Sequence, residues 1–486
     1  MKFIILLILL APIIYLAFRQ KKWYLYLLFA FIGILPEQFS ISLHESLPLI
    51  TATRLLIVLC GSFWLIERVK IRSLSIPKEV LAFGIINIII SIINLRYGSS
   101  EINRFFLIIF ERCFLIVLIK DMIDDRAEFH TCLDFMIMGC CVLAVIGIVQ
   151  TVFEYDIASV LQLRVTPSNS SIPKRMGMIR AYGTFNAITY GCYCAFMVLP
   201  IYYRLENSGK IWHSVAFALN FIALICTFTR SAWFCIGGIF LLVITLRYKI
   251  IFKKMLPCCG MIIVLLLPLC LIQPKLTSGM VETGKTAINT VTSIFFDSEA
   301  PTEQTSPSEP TADSEDSPIS SNPIVPGFEI SKDFGANAKN PTGSRMMQWS
   351  SVEHMISEGE ALFGYGYKAL LRGKLWFFRA EWGSKWVVAT FLDIGLIALI
   401  TESGFVGAIA HLAFIGYLFI FALLQFKRYK GFDFYKTILF VIPLYLLLNF
   451  LSSFLNGQSV WLFWGLCFAY MYLDKKQLIQ PQQSTE

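Results

Sequence analysis

Long apolar runs alternate with short polar linkers along this chain, and the runs are too long for strands and too apolar for the core helices of a soluble domain. They fall near 3–18, 22–36, 48–66, 79–95, 104–119, 131–153, 187–203, 211–228, 231–246 and 255–272. After a long hydrophilic segment, three more follow near 403–426, 437–454 and 458–473. Each run is about 14–23 residues, close to the roughly 20 that carry a helix across a bilayer. The pattern predicts an all-α polytopic membrane protein with about 12–13 transmembrane helices. It divides the chain into an N-terminal bundle of about ten spans over 1–272, a loop over 273–386, and a C-terminal part over 387–486. That last part opens with a re-entrant or boundary segment and continues with three spans.

Within the loop, residues 297–326 hold six prolines and seven acidic residues among many Ser and Thr, too little apolar surface to offset the entropy of ordering, so disorder is predicted there. From Pro341 the character changes. Met346, Trp349, Val352 and Ile356 recur at helical spacing and predict a helix over 342–358, with Thr342 or Ser344 as N-cap and Gly359 near its end. Phe363-Gly364-Tyr365-Gly366-Tyr367 reads as a turn, and Trp376-Phe377-Phe378, Trp382 and Trp386 as an aromatic belt suited to a membrane interface.

Composition sharpens this picture. Of 486 residues, 56% are hydrophobic and 15% charged, which excludes an ordinary soluble protein. The net charge of +8 hints at nucleic acid until its placement is considered. Basic residues collect in Arg19-Gln20-Lys21-Lys22, in 67–79, in Arg247 to Lys254, in Lys427 to Lys436 and at Lys475-Lys476, all linkers on one side of the bundle. That side is cytoplasmic by the positive-inside rule, so no nucleic-acid partner is predicted. The N-terminus and the long loop then lie outside, and the C-terminus inside. The apolar start resembles a signal peptide, but basic residues follow it without a small-x-small cleavage site, and it reads as a span. None of the 13 cysteines falls in the long loop, which must fold without disulfides.

Ionisable groups in apolar runs are costly and each needs a reason. Arg54 sits early in the third run, and Glu111 and Arg112 midway along the fifth. Adjacent helix positions point about 100° apart, so Glu111 and Arg112 must find partners on other helices. Two readings stay open: structural ion pairs, or a cationic pocket for an anionic lipid head group. Arg180 precedes Ala181-Tyr182-Gly183-Thr184-Phe185-Asn186, Arg230 lies in the tight turn Thr227-Phe228-Thr229-Arg230-Ser231, and Arg345 starts the loop helix. Positive charge is disfavoured on short external linkers, and a guanidinium suits bidentate contact with phosphate, although an interfacial arginine also snorkels to lipid. Asp393, in an apolar setting, could serve as a base or orient a hydroxyl. Glu402 is nine residues further on; the two would lie roughly 13.5 Å apart on a continuous helix, too far for a paired-carboxylate hydrolase. With Thr401 and Ser403, Glu402 reads as a cap of the next span. The five histidines show no ligand spacing, the first external loop from Pro36 to Pro48 has no Asp-x-Asp, and no Walker motif occurs, so neither a metal nor a cofactor is predicted.

Taken in order, several segments resemble the O-antigen ligase and O-antigen polymerase family of bacterial surface-polysaccharide enzymes. They are Arg180 before Gly183-Thr184-Phe185-Asn186, Thr227-x-Thr229-Arg230-Ser231, Gly343-Ser344-Arg345-x-x-x-Trp349, Phe363-Gly364-Tyr365-Gly366, and Leu392-Asp393 with Glu402-Ser403-Gly404-Phe405-Val406-Gly407. The resemblance covers about 175–426. It implies a multi-pass glycosyltransferase of GT-C type in the bacterial cytoplasmic membrane, acting at the outer face. Its donor would be a polyprenyl-diphosphate-linked oligosaccharide and its acceptor a glycan hydroxyl, with a flippase and a chain-length regulator as partners. Arg180 and Arg230, with Asp393, would be catalytic; Arg345, Trp349, Arg54, Arg112 and Glu402 would bind substrate. Asp393 stands where ligases of the family usually carry histidine, which favours a polymerase whose acceptor is another lipid-linked repeat unit. The alternatives are a ligase, transferring finished glycan to a lipid, wall or protein acceptor, and a flippase of lipid-linked glycans.

Overall fold

The computed structural model describes residues 11, 15, 22–35, 40–41, 50–71, 75–155, 174–175, 178–184, 187–296, 341–370, 373–379, 385–388, 392, 394–426, 433–452 and 458–483. All of the first predicted span but residues 11 and 15 lies outside these residues, as do the acidic, proline-rich 297–326 segment and Asp393.

The described chain is a bundle of helices: α1 (Trp23–Phe31), α2 (Ala52–Ile71), α3 (Lys78–Asn94), α4 (Ser100–Phe106), a π-helical stretch (Leu107–Phe114), α5 (Leu115–Met122), α6 (Arg126–Val152), α7 (Ala187–Ser208), α8 (Ile211–Cys226), α9 (Arg230–Ile272), α10 (Pro274–Phe296), α11 (Pro341–Ser357), α12 (Gly395–Gln425), α13 (Phe434–Leu451) and α14 (Gln458–Gln483). Five stretches are long and apolar enough to cross a membrane: Lys78–Tyr97, Arg126–Val152, Met255–Ile272, Gly395–Gln425 and Phe434–Leu451; Thr53–Ile66, Ile211–Cys226 and Arg230–Val243 are shorter apolar helices. The protein is therefore an all-α membrane protein. Three two-stranded antiparallel pairs are the only strands among the described residues: β1 (Ser40–Ile41) with β2 (Ile50–Thr51), β3 (Lys174–Arg175) with β4 (Met178–Ile179), and β5 (Trp376–Arg379) with β6 (Lys385–Val388).

Local chemistry sets several boundaries. Asp125 caps α6 by accepting from the Glu128 N–H at 2.7 Å, and Asp433 caps α13 by accepting from the Lys436 N–H at 3.1 Å. Between α4 and α5 the chain stays helical but widens to π-helix at the stretch that carries Glu111 and Arg112. Such a widening is rare and turns the following residues to a new face. One apolar core unites most of the bundle, with Trp461, Trp464, Tyr190 and Phe196 among its fully buried rings. A second, smaller core of Val352, Met355, Tyr365, Leu375, Ile394, Ile397 and Ile400 fastens the loop helix α11 to the start of α12.

The structure differs from the sequence-based expectation at four places. Residues 274–296, expected within the loop without assigned structure, form α10, and in the aromatic region Trp376–Arg379 and Lys385–Val388 pair as antiparallel strands. Helical bonding is continuous through Arg230–Ile272, where two spans with a basic linker are predicted. Yet Trp233 and Phe240 line the same cavity as Met255 and Ile263, which a straight rod rising about 1.5 Å per residue cannot achieve. The halves of α9 therefore pack side by side. Finally, α12 begins at Gly395 rather than near 403 and is broken at Gly404.

Candidate functional site

Arg180 and the α8–α9 turn form one unit. The Arg180 guanidinium donates from Nε to the Thr227 carbonyl at 2.8 Å and from Nη2 to Thr229 Oγ1 at 3.0 Å. Phe228, between them, takes a left-handed φ of 49°, the sharp reversal that lets α9 start at Arg230. Thr229 Oγ1 donates to the Ala187 carbonyl at 3.2 Å, and a Cβ on Gly191 would stand 2.6 Å from that oxygen, so the turn can dock on α7 only over a glycine. Upstream, Gln150 clasps the segment after Arg180: its Oε1 accepts from the Gly183 N–H at 2.9 Å and its Nε2 donates to the Gly183 carbonyl at 2.9 Å. Gly183 has a φ of +54°, a conformation that favours glycine.

With its hydroxyl so committed, Thr229 does not cap α9, and no other side chain among the described residues does. The first N–H groups of a helix carry partial positive charge and suit an anion. Arg230 is half-buried at this end, and among the described residues nothing accepts from its guanidinium. Next to it, the Ser231 hydroxyl meets that of Ser452 at 2.7 Å; the Ser452 carbonyl accepts from the Gly395 N–H at 3.1 Å. The Ile394 N–H donates to Gln348 Oε1 at 3.3 Å. Four segments are thus stitched together: the Arg230 turn, the end of α13, the residues flanking Asp393, and α11, which carries Arg345 three positions before Gln348. Arg345 lies on α11, with its side chain outside the described residues, as is Asp393 altogether. Trp349 packs against Phe450, ring centroids 6.2 Å apart, and so serves to seat α11 on α13.

Arg54, Arg112 and Glu402 belong to a second cluster. Arg54 is ion-paired with Glu111, whose other oxygen accepts from Gln458 Nε2 at 3.0 Å. Arg112 lies over the Trp461 ring, 4.8 Å from its centroid. Two residues not singled out in the sequence join them. Glu101 is fully buried and accepts from the Tyr367 N–H; Arg104, also buried, stands 3.9 Å from Glu101 and donates to the Glu402 carbonyl at 2.9 Å. The only sequence signal for this pair is its i,i+3 spacing at the head of the fifth run. Glu402 does not cap the next span. Its carboxylate accepts from the Lys368 N–H at 3.0 Å, and the N–H groups of Phe405 and Val406 are capped by the carbonyls of Ala361 and Leu362, at 2.9 and 3.2 Å. Conversely, the Thr401 and Glu402 carbonyls accept from Tyr365 and Gly366 N–H groups at 2.8 and 3.1 Å. Residues 361–368 therefore form a strap that satisfies the backbone of α12 where Gly404 interrupts it. Burial, with Glu402 and Glu111 nearby, pushes the Tyr367 phenol on this strap up to about 12, so it stays a neutral hydroxyl.

An apolar cavity of about 620 Å³ opens between α8 and the two halves of α9, with Met280 of α10 at one edge. Among the described residues no group of three His, Cys, Asp or Glu could hold a metal ion. No family model matches the chain, and no curated protein is significantly similar to it.

Proposed function

We propose that this protein is a polysaccharide polymerase, a GT-C-type glycosyltransferase with about 12–13 spans that acts at the outer face of a bacterial cytoplasmic membrane. It takes glycan from polyprenyl diphosphate and joins it to the hydroxyl of another lipid-linked repeat unit. The observation that carries this reading is the meeting of the Arg230 turn with the Ile394–Gly395 and Gln348 segments through Ser231, Ser452 and Gln348. That junction gathers three of the segments that carry the family resemblance, the Arg230 turn, the helix of Gln348 and the residues flanking Asp393, against the end of α13.

In this reading Arg230 and the open end of α9 hold the diphosphate. The acceptor oxygen attacks the anomeric carbon as its bond to the diphosphate oxygen breaks; the proton goes to Asp393 and the charge on the departing diphosphate is stabilised by Arg230. Arg180 fixes the turn that presents Arg230, and Arg345 is carried by α11, whose Gln348 belongs to the same junction. The loop and the N-terminus are extracytoplasmic, the C-terminus cytoplasmic, with flippase and chain-length regulator as partners.

The test is reconstitution. Purified protein given polyprenyl-diphosphate glycan alone should produce a ladder of lengthening products, and Asp393→Asn should remove it. Product that forms only after a separate acceptor is added would make the protein a ligase; no transfer under either condition would refute the glycosyltransferase reading.

A further inference from the structure

The buried stripe of α3 changes character half-way along the helix. Near its start it reads Val80, Phe83 and Gly84, all apolar; beyond them come Asn87, Ser91 and Asn94, at i, i+4 and i+7 on the same face. This stripe meets α12 at both ends. Phe83 packs edge-on to His411, ring centroids 6.2 Å apart, and Asn94 Nδ2 donates at 2.8 Å to the Phe363 carbonyl of the strap that covers the break in α12. Three side chains along the seam are at most 2% exposed, and each holds an atom with no hydrogen-bond partner among the described residues: Asn94 Oδ1, Ser91 Oγ and His411 Nδ1. Buried polar atoms in that state are rare and costly, and bound water is their usual remedy. The donor and acceptor set selects the same ligand. Asn94 spends its amide nitrogen on the strap, so it presents an acceptor, while Ser91 presents a hydroxyl. His411 Nε2 meets Tyr445 Oη at 3.0 Å, so Nδ1 is an acceptor in one tautomer and a donor in the other. A metal cation cannot serve an N–H, and an anion cannot serve an amide oxygen. Water serves all three.

From this juxtaposition we infer that water threads the seam between α3 and α12 from the strap to His411, a half-channel through which that imidazole exchanges protons with the solution on the strap side. Asn87 to Asn94 spans about 10 Å of helix axis, which about three waters linked at roughly 2.8 Å cover. Asn87, whose amide nitrogen donates to the Phe83 carbonyl at 2.9 Å, has its oxygen left for the lowest of them. A proton arriving at Nδ1 makes the imidazolium, and the same nitrogen returns it, so no other group is consumed. Beyond His411 the path stops. The Phe83 ring lies 5.0 Å from Phe414 and 5.7 Å from Trp461, centroid to centroid, and these rings close the seam. The charged and titratable groups that face His411 there are Tyr445 and Arg112, which lies over the Trp461 ring that His411 meets edge-on. The half-channel needs no glycan and no transfer chemistry, and so goes beyond the reading given above.

Hydrogen–deuterium exchange at the imidazole C2–H tests this directly, because it requires a ring that takes up a proton in contact with water. The full-length protein, reconstituted in nanodiscs, is held in D2O, and deuterium in the peptide carrying His411 is followed by mass spectrometry. Exchange at His411 is expected within about a hundredfold of the rate in a free histidine peptide. Ser91→Leu, which puts hydrocarbon in the middle of the seam, should slow it at least tenfold. Ile92→Phe, at a neighbouring position turned out of the bundle, should leave it within twofold. Ser91→Ala separates a wet seam from a dry one: water that loses a partner lowers the melting temperature, whereas a dry seam sheds an unpaired hydroxyl and the melting temperature rises. Slower or absent uptake at His411 in the wild-type protein, a measurement that needs no variant to fold, would overturn the half-channel. A Ser91→Ala protein of higher melting temperature would do the same, as would a Ser91→Leu protein that exchanges at the parent rate.

Discussion

At the scale of single residues, the two arginines that look alike in the sequence separate in the structure. Both stand in a linker just before a span. Arg180 spends two donors on the Thr227 carbonyl and Thr229 hydroxyl, whereas Arg230 has no acceptor among the described residues. The sequence could not distinguish them, since the difference depends on a left-handed turn at Phe228 and on Gly191 admitting Thr229. Their alanine variants should therefore fail differently. Arg230→Ala should lower glycan transfer about 10²- to 10³-fold, the usual loss when one preorganised donor to developing charge is removed, with an unchanged melting temperature. Arg180→Ala should lower both, because it strips a partner from a buried carbonyl, a loss of about 1–3 kcal/mol. Transfer assays paired with thermal unfolding in detergent check both outcomes. Equal melting-temperature losses would erase the distinction between clamp and brace.

At the scale of elements, the apolar periodicity located nearly every long helix, because a bilayer leaves a spanning chain few alternatives to satisfying its backbone within a helix. What it missed are elements whose cause lies in tertiary contact. The strap at 361–368 is legible only as a glycine-rich turn, yet it pairs with both sides of the break in α12. The break itself does not show in the mean hydropathy, which stays high for 395–425 despite Thr401, Glu402 and Ser403. Gly404 has a φ of +65° and its missing Cβ would stand 2.1 Å from the Leu362 carbonyl oxygen. Gly404→Ala should consequently eject the strap, with a loss of more than about 2 kcal/mol from strain and unpaired backbone together. Limited proteolysis should then cut within 360–375 far faster than in the parent. Gly416→Ala, on the same helix with open space around it, serves as the comparison and should be neutral or mildly stabilising. If both variants resist protease equally, the strap is not held by the break.

At the scale of the whole molecule, the feature that orders the bundle is a near-neutral island of charge: the guanidinium groups of Arg54, Arg104 and Arg112 among the carboxylates of Glu101, Glu111 and Glu402. It draws on α2, α4, the π-helical stretch, α12 and, through Gln458 and Trp461, α14. The sequence singled out four of these six residues, all but Glu101 and Arg104, and left the purpose of its intramembrane charges divided between structural pairing and lipid binding. The Arg54–Glu111 pair decides the matter experimentally. Glu111→Leu strands a guanidinium in a mostly apolar setting, which typically costs about 3–5 kcal/mol. Arg54→Met added to Glu111→Leu removes both charges and should return most of that stability, because a packed apolar pair replaces a buried ion pair at little net loss. Activity then discriminates. If the island only holds the helices in register, the double variant should regain transfer along with its unfolding midpoint. If Arg54 also engages the anionic donor, the midpoint should return while transfer stays at least tenfold low and the KM for the lipid-linked glycan rises. Arg54 is one-quarter exposed in its side chain against 6% for Glu111, so it is the partner with room to reach a ligand. The second outcome is therefore expected, and full recovery of both quantities would assign the island to architecture alone.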